Sequence, residues 1–180
     1  MRLVMFALLA LVLATGGQAE NSAPATQLEQ QAPQIDYAGF AVLTEEVAQL
    51  RQERLLPKDA FFERAAAEGA LLLDTRSAAA FATGHIEGAV NLPFSDFTDD
   101  KLAEVIGEDR DRAIYIYCNN NFSDNAFPIA LKKAPLALNI PTFINLVGYG
   151  YENVWELGEE VSVSDINWSS DGTIAPQLSK

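Results

Sequence analysis

RAIYIYCNNNFSD, residues 112–124, is the segment that decides the fold of this chain. Its first half, from Ala113 to Tyr117, is apolar, β-branched and aromatic, a composition typical of a strand buried on both faces of a sheet. Three successive asparagines then end the strand, because their amides compete for backbone hydrogen bonds and suit turns. Between the strand and the asparagines stands Cys118, the only cysteine of the chain. The segment therefore predicts an α/β fold with a thiol at the carboxyl end of a strand, where such sheets place their chemistry.

Two interpretations of Cys118 follow from this position. A helical pattern from Asp124 to Lys133 puts the thiol just before a predicted helix, whose N-terminal N–H groups and dipole favour a thiolate or a bound anion. Alternatively, Cys118 is one more small buried residue, because free cysteine is among the most buried residue types. Position alone leaves both interpretations open.

The amino terminus has the pattern of a cleavable signal peptide. Arg2 gives a short positive region, residues 3–14 form an uncharged apolar stretch, and the run GQA at 17–19 offers a small-x-small cleavage site. The apolar stretch is shorter than the roughly 20 residues that a membrane-spanning helix needs. We therefore expect cleavage after Ala19, export of the mature chain to a bacterial periplasm, and no membrane insertion after the signal peptide (residues 1–19) is removed.

Charge and composition narrow the classes of function. The chain carries 12 basic and 25 acidic residues, and loss of residues 1–19 would leave 11 basic and 25 acidic residues, a net charge of -14. Such a chain repels nucleic acid and anionic lipid, so neither is a predicted partner. A single cysteine allows no disulfide within the chain. The sequence has neither zinc-type cysteine and histidine spacing nor a glycine-rich phosphate loop, so we predict no metal and no cofactor.

The order of the predicted elements indicates a sheet that helices cover on both faces. Residues 20–36, rich in Gln, Ala and Pro, are a predicted flexible linker, and residues 37–54 are a helical extension with one apolar stripe. Residues 55–160 alternate short strands with helices, one of them over 141–147, which predicts a parallel sheet. Residues 161–180 are a predicted polar tail.

Three segments together resemble the rhodanese-like family over roughly residues 55–157. They are LLLDTR at 71–76, FATGHIEGAVNLP at 81–93, and the strand-to-cysteine step at 117–118, which YENV follows at 151–154. The resemblance implies a three-layer α/β fold, with helices on both faces of a central, mostly parallel sheet. It also implies a sulfurtransferase, in which Cys118 accepts a sulfane sulfur from a donor and passes it from a persulfide to a thiol.

The resemblance implies a loop whose backbone N–H groups converge on the sulfur, here Asn119, Asn120, Asn121, Phe122 and Ser123. This loop is atypical, because active members often carry Gly and Arg where this chain has Asn121 and Ser123. Without the arginine, donor binding loses a charge-assisted pair worth about 1.5–3 kcal/mol. We therefore expect inefficient use of thiosulfate. The expected partners are a small neutral sulfane-sulfur donor or a protein persulfide donor, and a thiol acceptor.

Asp74, Arg76 and His85 complete the set of candidate site residues, and we interpret all three as structural support. Asp74 and Arg76 are expected to form a buried hydrogen-bonded link. His85, the only histidine, is of the type that activates thiols, but the resemblance implies that it braces a turn. The three asparagines have two open interpretations: their amides bind a polar donor, or they suit tight turns with positive φ.

Three functions are compatible with these observations. The first is an exported sulfurtransferase that carries sulfane sulfur on Cys118. The second is a catalytically weak or inactive rhodanese-like module that binds a partner or senses a thiol, which the missing arginine and the acidic composition favour. The third is an oxidation sensor, because an accessible thiolate can reach sulfenic acid. We prefer the first, and the sequence leaves the donor and the acceptor open.

Overall fold

The computed structural model describes residues 34–170, so the predicted signal peptide, most of the predicted linker and the end of the predicted tail lie outside the described residues. The helices are α1 (Tyr37–Gln52), α2 (Lys58–Ala65), α3 (Ala78–Thr83), α4 (Asp99–Ile106) and α5 (Asn139–Gly148). The strands are β1 (Leu55–Leu56), β2 (Leu71–Asp74), β3 (His85–Ile86), β4 (Val90–Asn91), β5 (Ile114–Tyr117), β6 (Val154–Leu157) and β7 (Trp168–Ser169). Five strands form one sheet in the order β1-β6-β5-β2-β4, and every neighbouring pair is parallel. The predicted α/β architecture is confirmed.

The central strands are buried on both faces, as their continuous apolar composition predicts. Successive side chains of a strand point to opposite faces of the sheet. On one face Ile114 and Ile116 pack with residues of α1, α4 and α5, whereas on the other face Tyr115 and Tyr117 pack with Phe61 of α2. Cys118, at the end of β5, therefore lies between two layers of helices.

Capping side chains define where the helices begin. The side chain of Asp36 accepts a hydrogen bond of 2.9 Å from the N–H of Gly39 at the start of α1. Ser77 and Thr98 cap α3 and α4 in the same way. Gly107 ends α4 with a φ of 100°, a conformation that suits glycine. A side-chain cap therefore marks the start of three of the five helices in residues 34–170: α1, α3 and α4.

The predicted helix over residues 124–133 is wrong. The structure shows an irregular segment there, because its polar and proline residues make other bonds. Oδ2 of Asp124 accepts the N–H of Val163 at 2.7 Å instead of capping a helix, and Pro128 supplies no N–H at all. The helix predicted over 141–147 is confirmed as α5, which begins two residues earlier.

The domain extends past the boundary predicted at residue 160. Val161 exchanges backbone hydrogen bonds with Asn121 and Ser123, at 2.8 and 3.0 Å. Farther on, β7 pairs antiparallel with β3, and the ring of Trp168 meets that of Phe122 edge-on at 5.3 Å. An aromatic residue in this segment has apolar surface to bury, which is why the segment folds back onto the domain.

Residues 34–170 contain neither a candidate membrane span nor a candidate metal site. No helix in this range is both long enough and apolar enough to cross a membrane. In the same range, no cluster of three or more His, Cys, Asp or Glu side chains is arranged to hold a metal ion.

Candidate functional site

The site lies at the carboxyl ends of three neighbouring parallel strands. Cys118 follows β5, Asp74 ends β2, and Glu156 lies in β6 opposite Ile116 of β5. The Cys118 residue is 1% exposed and lines a cavity of about 560 Å³ together with residues of α1, α5 and the segment after β6. The thiol therefore borders a cavity at the sheet edge where α/β proteins bind their ligands.

Three backbone N–H groups surround the sulfur of Cys118. They belong to Asn120 in the loop, and to Leu138 and Asn139 at the start of α5. Leu138 is the N-cap of α5 and has no side chain that could accept the first N–H groups of the helix. These N–H groups are therefore directed at the sulfur, and α5 supplies the helix N-terminus that the sequence placed near Asp124.

The loop after the cysteine contributes fewer N–H groups than predicted. Residues Asn119–Asn121 form a single 3-10 turn, in which the N–H of Asn121 bonds to the carbonyl of Cys118 at 3.1 Å. The N–H of Phe122 bonds to the carbonyl of Asn119, and that of Ser123 to the carbonyl of Val161. Because the N–H groups of Phe122 and Ser123 are used within the backbone, a loop that curves all of its N–H groups around the sulfur is not observed.

The environment of Cys118 stabilises the thiol more than the thiolate. Burial raises the pKa of the Cys118 thiol above its ordinary value, the three N–H groups lower it by less, and the negative charge of Glu156 raises it further. Of the two interpretations that the position of Cys118 left open, the raised pKa favours the buried thiol over the stabilised thiolate.

The side chains of the three asparagines hold the loop in place. Nδ2 of Asn119 donates to the carbonyl of Ala130 at 3.0 Å, and Nδ2 of Asn120 donates to that of Lys132 at 2.7 Å. Nδ2 of Asn121 donates to the carbonyl of Leu157, also at 2.7 Å. In residues 34–170 only glycines have positive φ, so the three asparagines form a tight turn without the positive φ that one interpretation expected. The asparagine side chains therefore hydrogen-bond the cysteine loop to the segment after residue 129 and to the end of β6.

The structure brings together only part of the predicted loop. Asn120 and Asn121 line the cavity with Cys118, whereas Asn119 borders a separate surface depression. Phe122 is fully buried in the core against the ring of Tyr117. Ser123 is exposed and does not line the cavity.

Asp74 and Arg76 form a buried ion pair beside the site. Nη2 of Arg76 contacts Oδ2 of Asp74 at 2.6 Å, and its Nε lies 3.0 Å from both carboxylate oxygens. The hydroxyl of Tyr117 donates to Oδ2 of Asp74 at 2.6 Å. Nη2 of Arg76 also donates to the carbonyl of Gly84 at 2.7 Å, so this pair ties β2 to the glycine turn. Neither residue lines the cavity at Cys118.

His85 lies in β3 and does not line the cavity either. Its ring stacks on that of Phe81, with the centroids 3.8 Å apart, and its Nδ1 is 2.8 Å from the carbonyl of Phe81. These contacts connect α3 to β3. The histidine is therefore placed to brace the turn, not to exchange a proton with Cys118.

A family model for the rhodanese-like domain matches residues 59–158 of this chain. This segment contains β2, the glycine turn, β5 with Cys118, α5 and β6. The chain belongs to the rhodanese-like domain family.

Solved structures of other proteins are similar to this chain. One is a Rhodanese_3-like domain from Anabaena sp., 23% identical, with a TM-score of 0.36, over 53% of this chain and 81% of that chain. Another is a protein from Bacillus halodurans, 17% identical, with a TM-score of 0.39, over 67% of this chain and 75% of that chain. No curated protein matches this chain.

In this rhodanese-like domain, three residues that line the cavity with Cys118 were not predicted from the sequence: Arg51, Asn139 and Glu156. Arg51 lies near the end of α1, outside the segment that matches the family, yet it lines the cavity. Only the packing of α1 on α5 brings it there, so no local signal marks it. Glu156 did carry a signal, because a glutamate inside a strand as apolar as β6 is unusual unless it has a partner.

The charges around the cavity are unfavourable to a small dianion. Nε and Nη2 of Arg51 bond to the two carboxylate oxygens of Glu156 at 2.6 and 2.8 Å, so its positive charge is already compensated. Glu159 and Glu160 also line the cavity and are exposed. Its other wall is apolar and includes Val47 and Phe143. The cavity is therefore suited to a ligand that is partly apolar and carries little negative charge.

Proposed function

We propose that this rhodanese-like domain is a sulfurtransferase that carries sulfane sulfur as a persulfide on Cys118. The proposal depends on the position of the Cys118 sulfur. It borders a cavity and lies near the backbone N–H groups of Asn120, Leu138 and Asn139. Fixed N–H groups at a helix N-terminus stabilise negative charge that develops at the atom they face. Membership of the family supports the same reaction class.

The reaction has two balanced steps. The Cys118 thiol loses its proton, and the thiolate attacks the outer sulfur of a donor R–S–SH. The donor S–S bond breaks, its electron pair leaves on R–S⁻, which takes the proton, and Cys118 becomes a persulfide. An acceptor thiolate then attacks the outer sulfur of that persulfide. This step forms the acceptor persulfide and returns Cys118 to the thiolate, so no outside oxidant or reductant is needed.

We further propose that the donor is an uncharged organic persulfide or a protein persulfide, and that the acceptor is a thiol. Thiosulfate is a dianion, and the cavity meets it with the exposed carboxylates of Glu159 and Glu160. The one arginine of the cavity lining is engaged by Glu156. The apolar wall suits an alkyl group on the donor.

Mass spectrometry of the intact protein tests the function directly. After incubation with an alkyl persulfide we expect a gain of about 32 Da, one sulfur atom, on Cys118. Thiosulfate at the same concentration should give much less of this product, and the Cys118→Ser variant should give none. Addition of a small thiol should then remove the added mass. If no donor adds this mass to the folded protein, the sulfurtransferase proposal fails.

A second candidate function has an observation of its own. Cys118 is 1% exposed, and burial raises the pKa of its thiol, which suits a rhodanese-like module that binds or senses a thiol without turnover. This candidate predicts that a persulfide, once formed, is retained when excess thiol is added. If excess thiol instead removes the sulfur at a catalytic rate, the protein is a sulfurtransferase and this second candidate fails.

We propose that the protein works in a bacterial periplasm after cleavage behind Ala19. The support is the basic, apolar and small-residue pattern of residues 1–19. Expression of the full chain with a C-terminal tag in a Gram-negative host, followed by fractionation and amino-terminal sequencing, tests it. The expected mature chain begins at Glu20 in the periplasmic fraction. An uncleaved chain in the cytoplasmic fraction contradicts the proposal.

A further inference from the structure

A continuous chain of hydrogen bonds joins α1 to the cysteine. Arg51 donates two hydrogen bonds to the carboxylate of Glu156, and Oε1 of Glu156 also accepts a hydrogen bond from Nδ2 of Asn139 at 3.0 Å. The same Nδ2 donates to Oδ1 of Asn121 at 2.9 Å, and that oxygen accepts the N–H of Cys118, also at 2.9 Å. The links from Arg51 to Glu156, from Glu156 to Asn139 and from Asn139 to Asn121 join side chains far apart in sequence, so only the folded structure contains the chain.

The bonds fix the orientation of Asn139. Its Nδ2 has two hydrogens, and they go to two acceptors, Oε1 of Glu156 and Oδ1 of Asn121. A flipped amide would turn an oxygen toward both acceptors and lose both bonds. Because the backbone N–H of Asn139 faces the sulfur of Cys118, the position of this N–H depends on the carboxylate of Glu156.

The carboxylate of Glu156 in turn depends on Arg51. The side chain of Glu156 is 5% exposed, whereas that of Arg51 is 41% exposed and belongs to the N-terminal helix. A buried carboxylate that loses its cation is left with an uncompensated charge. That charge lies close enough to Cys118 to oppose formation of its thiolate.

We propose that Arg51 is a positioning residue of the sulfur site, which acts through Glu156 and Asn139 to keep the start of α5 on the sulfur of Cys118. The proposal rests on the proposed function, in which the sulfur carries negative charge during transfer. It assigns a role to α1, which lies outside the segment matched by the family model. The N-terminal helix is therefore part of the site, not an appendage to the domain.

The test measures the rate of alkylation of Cys118 against pH, which needs no sulfur donor. In Arg51→Met we expect the midpoint to rise by about one pH unit, which slows alkylation near neutral pH about tenfold. Arg54→Met is the matched control, because it removes the same charge from a residue that stacks on Trp155 and does not line the cavity. The control should stay within about twofold of the wild type.

Two more variants separate a positioning role from a general loss of structure. Glu156→Gln removes the buried charge, so it should lower the alkylation midpoint, and adding Arg51→Met to it should then change the midpoint little. Arg51→Lys keeps the charge without the two-pronged contact and should restore the midpoint in part. If Arg51→Met acts only by loosening the packing of α1, it will raise the alkylation midpoint by the same amount with Glu or Gln at position 156. That result overturns the proposal.

The experiments distinguish failure of the Arg51 role from failure of the sulfurtransferase function. If no donor adds sulfur to Cys118, the transferase reaction is lost, but the alkylation midpoints still report whether Arg51 acts on the sulfur. If the wild type forms the persulfide and Arg51→Met matches Arg54→Met in both alkylation and persulfide formation, only the role of Arg51 is overturned.

Discussion

The hydroxyl of Tyr117 donates a hydrogen bond of 2.6 Å to Oδ2 of Asp74, across the pair of strands that ends at the cysteine. The same hydroxyl oxygen accepts the N–H of Ile86 at 3.1 Å. One side chain thus joins β2 and β3 to the end of β5, the strand that Cys118 follows.

The first prediction concerns the stability that this link provides. Tyr117→Phe leaves a carboxylate oxygen of Asp74 and the N–H of Ile86 without this partner in a buried region, so we expect a loss of about 1–3 kcal/mol in the free energy of unfolding. Urea denaturation measures it. Tyr115→Phe is the control, because its hydroxyl makes no hydrogen bond with residues of the described part of the chain. Equal losses in both variants would contradict the prediction.

The second prediction concerns the stability of the protein at high pH. Burial, followed by the negative charge of Asp74, raises the pKa of Tyr117 well above its ordinary value of 10.0. The unfolded chain therefore releases this proton before the folded protein does, so stability is unaffected by this group below about pH 10 and falls above it. Tyr117→Phe should show a shallower fall in the urea midpoint between pH 9 and 11. A slope equal to that of the wild type would count against the raised pKa.

The third prediction concerns the thiol. Because burial raises the pKa of Cys118, alkylation of the folded protein should have its pH midpoint above that of the urea-unfolded chain. The thiol of an unfolded chain titrates at about pH 8.5. Cys118 is the only cysteine, so the reaction reports it alone. A midpoint below that of the unfolded chain would mean that the N–H groups of Asn120, Leu138 and Asn139 outweigh burial.

The fourth prediction concerns the acidic rim of the cavity. Glu160→Lys should raise the rate of persulfide formation from thiosulfate about 3- to 10-fold at low salt, because it replaces a repulsive charge with an attractive one near the dianion. The gain should shrink at high salt as the charges are screened. Glu87→Lys changes the net charge equally at an exposed residue that does not line this cavity. If the two variants gain equally, the rim has no local effect.

The fifth prediction concerns the close approach of the C-terminal segment to the glycine turn. A Cβ at Gly84 would lie 2.5 Å from Nε1 of Trp168, so Gly84→Ala should cost about 1–3 kcal/mol through crowding. In a Trp168→Ala background the same substitution should cost much less, because the space is open. Thermal or urea unfolding of the wild type, Gly84→Ala, Trp168→Ala and the double variant gives the free-energy cost of Gly84→Ala in each background. Equal costs would show that the indole does not set the limit at Gly84.

Much of the fold could be predicted from sequence because its signals are local. The apolar run before Cys118, the caps at Ser77 and Thr98, and the alternation of strands and helices each reflect neighbours within a few residues. The prediction of a helix over 124–133 was wrong because its residues bond to distant partners. Oδ2 of Asp124 caps Val163, and the amides of two loop asparagines hold residues 130 and 132.

By itself, the sequence determined the α/β fold, the family and the strand end that carries Cys118, because periodicity, caps and motif order are properties of the linear chain. Only the tertiary structure decided which groups meet the sulfur. The N–H groups of Leu138 and Asn139 come from an element distant along the chain, as does the guanidinium of Arg51, which pairs with Glu156 beside them. Their meeting depends on how α1 and α5 pack over the sheet, and packing is a property of the whole core that no local pattern encodes.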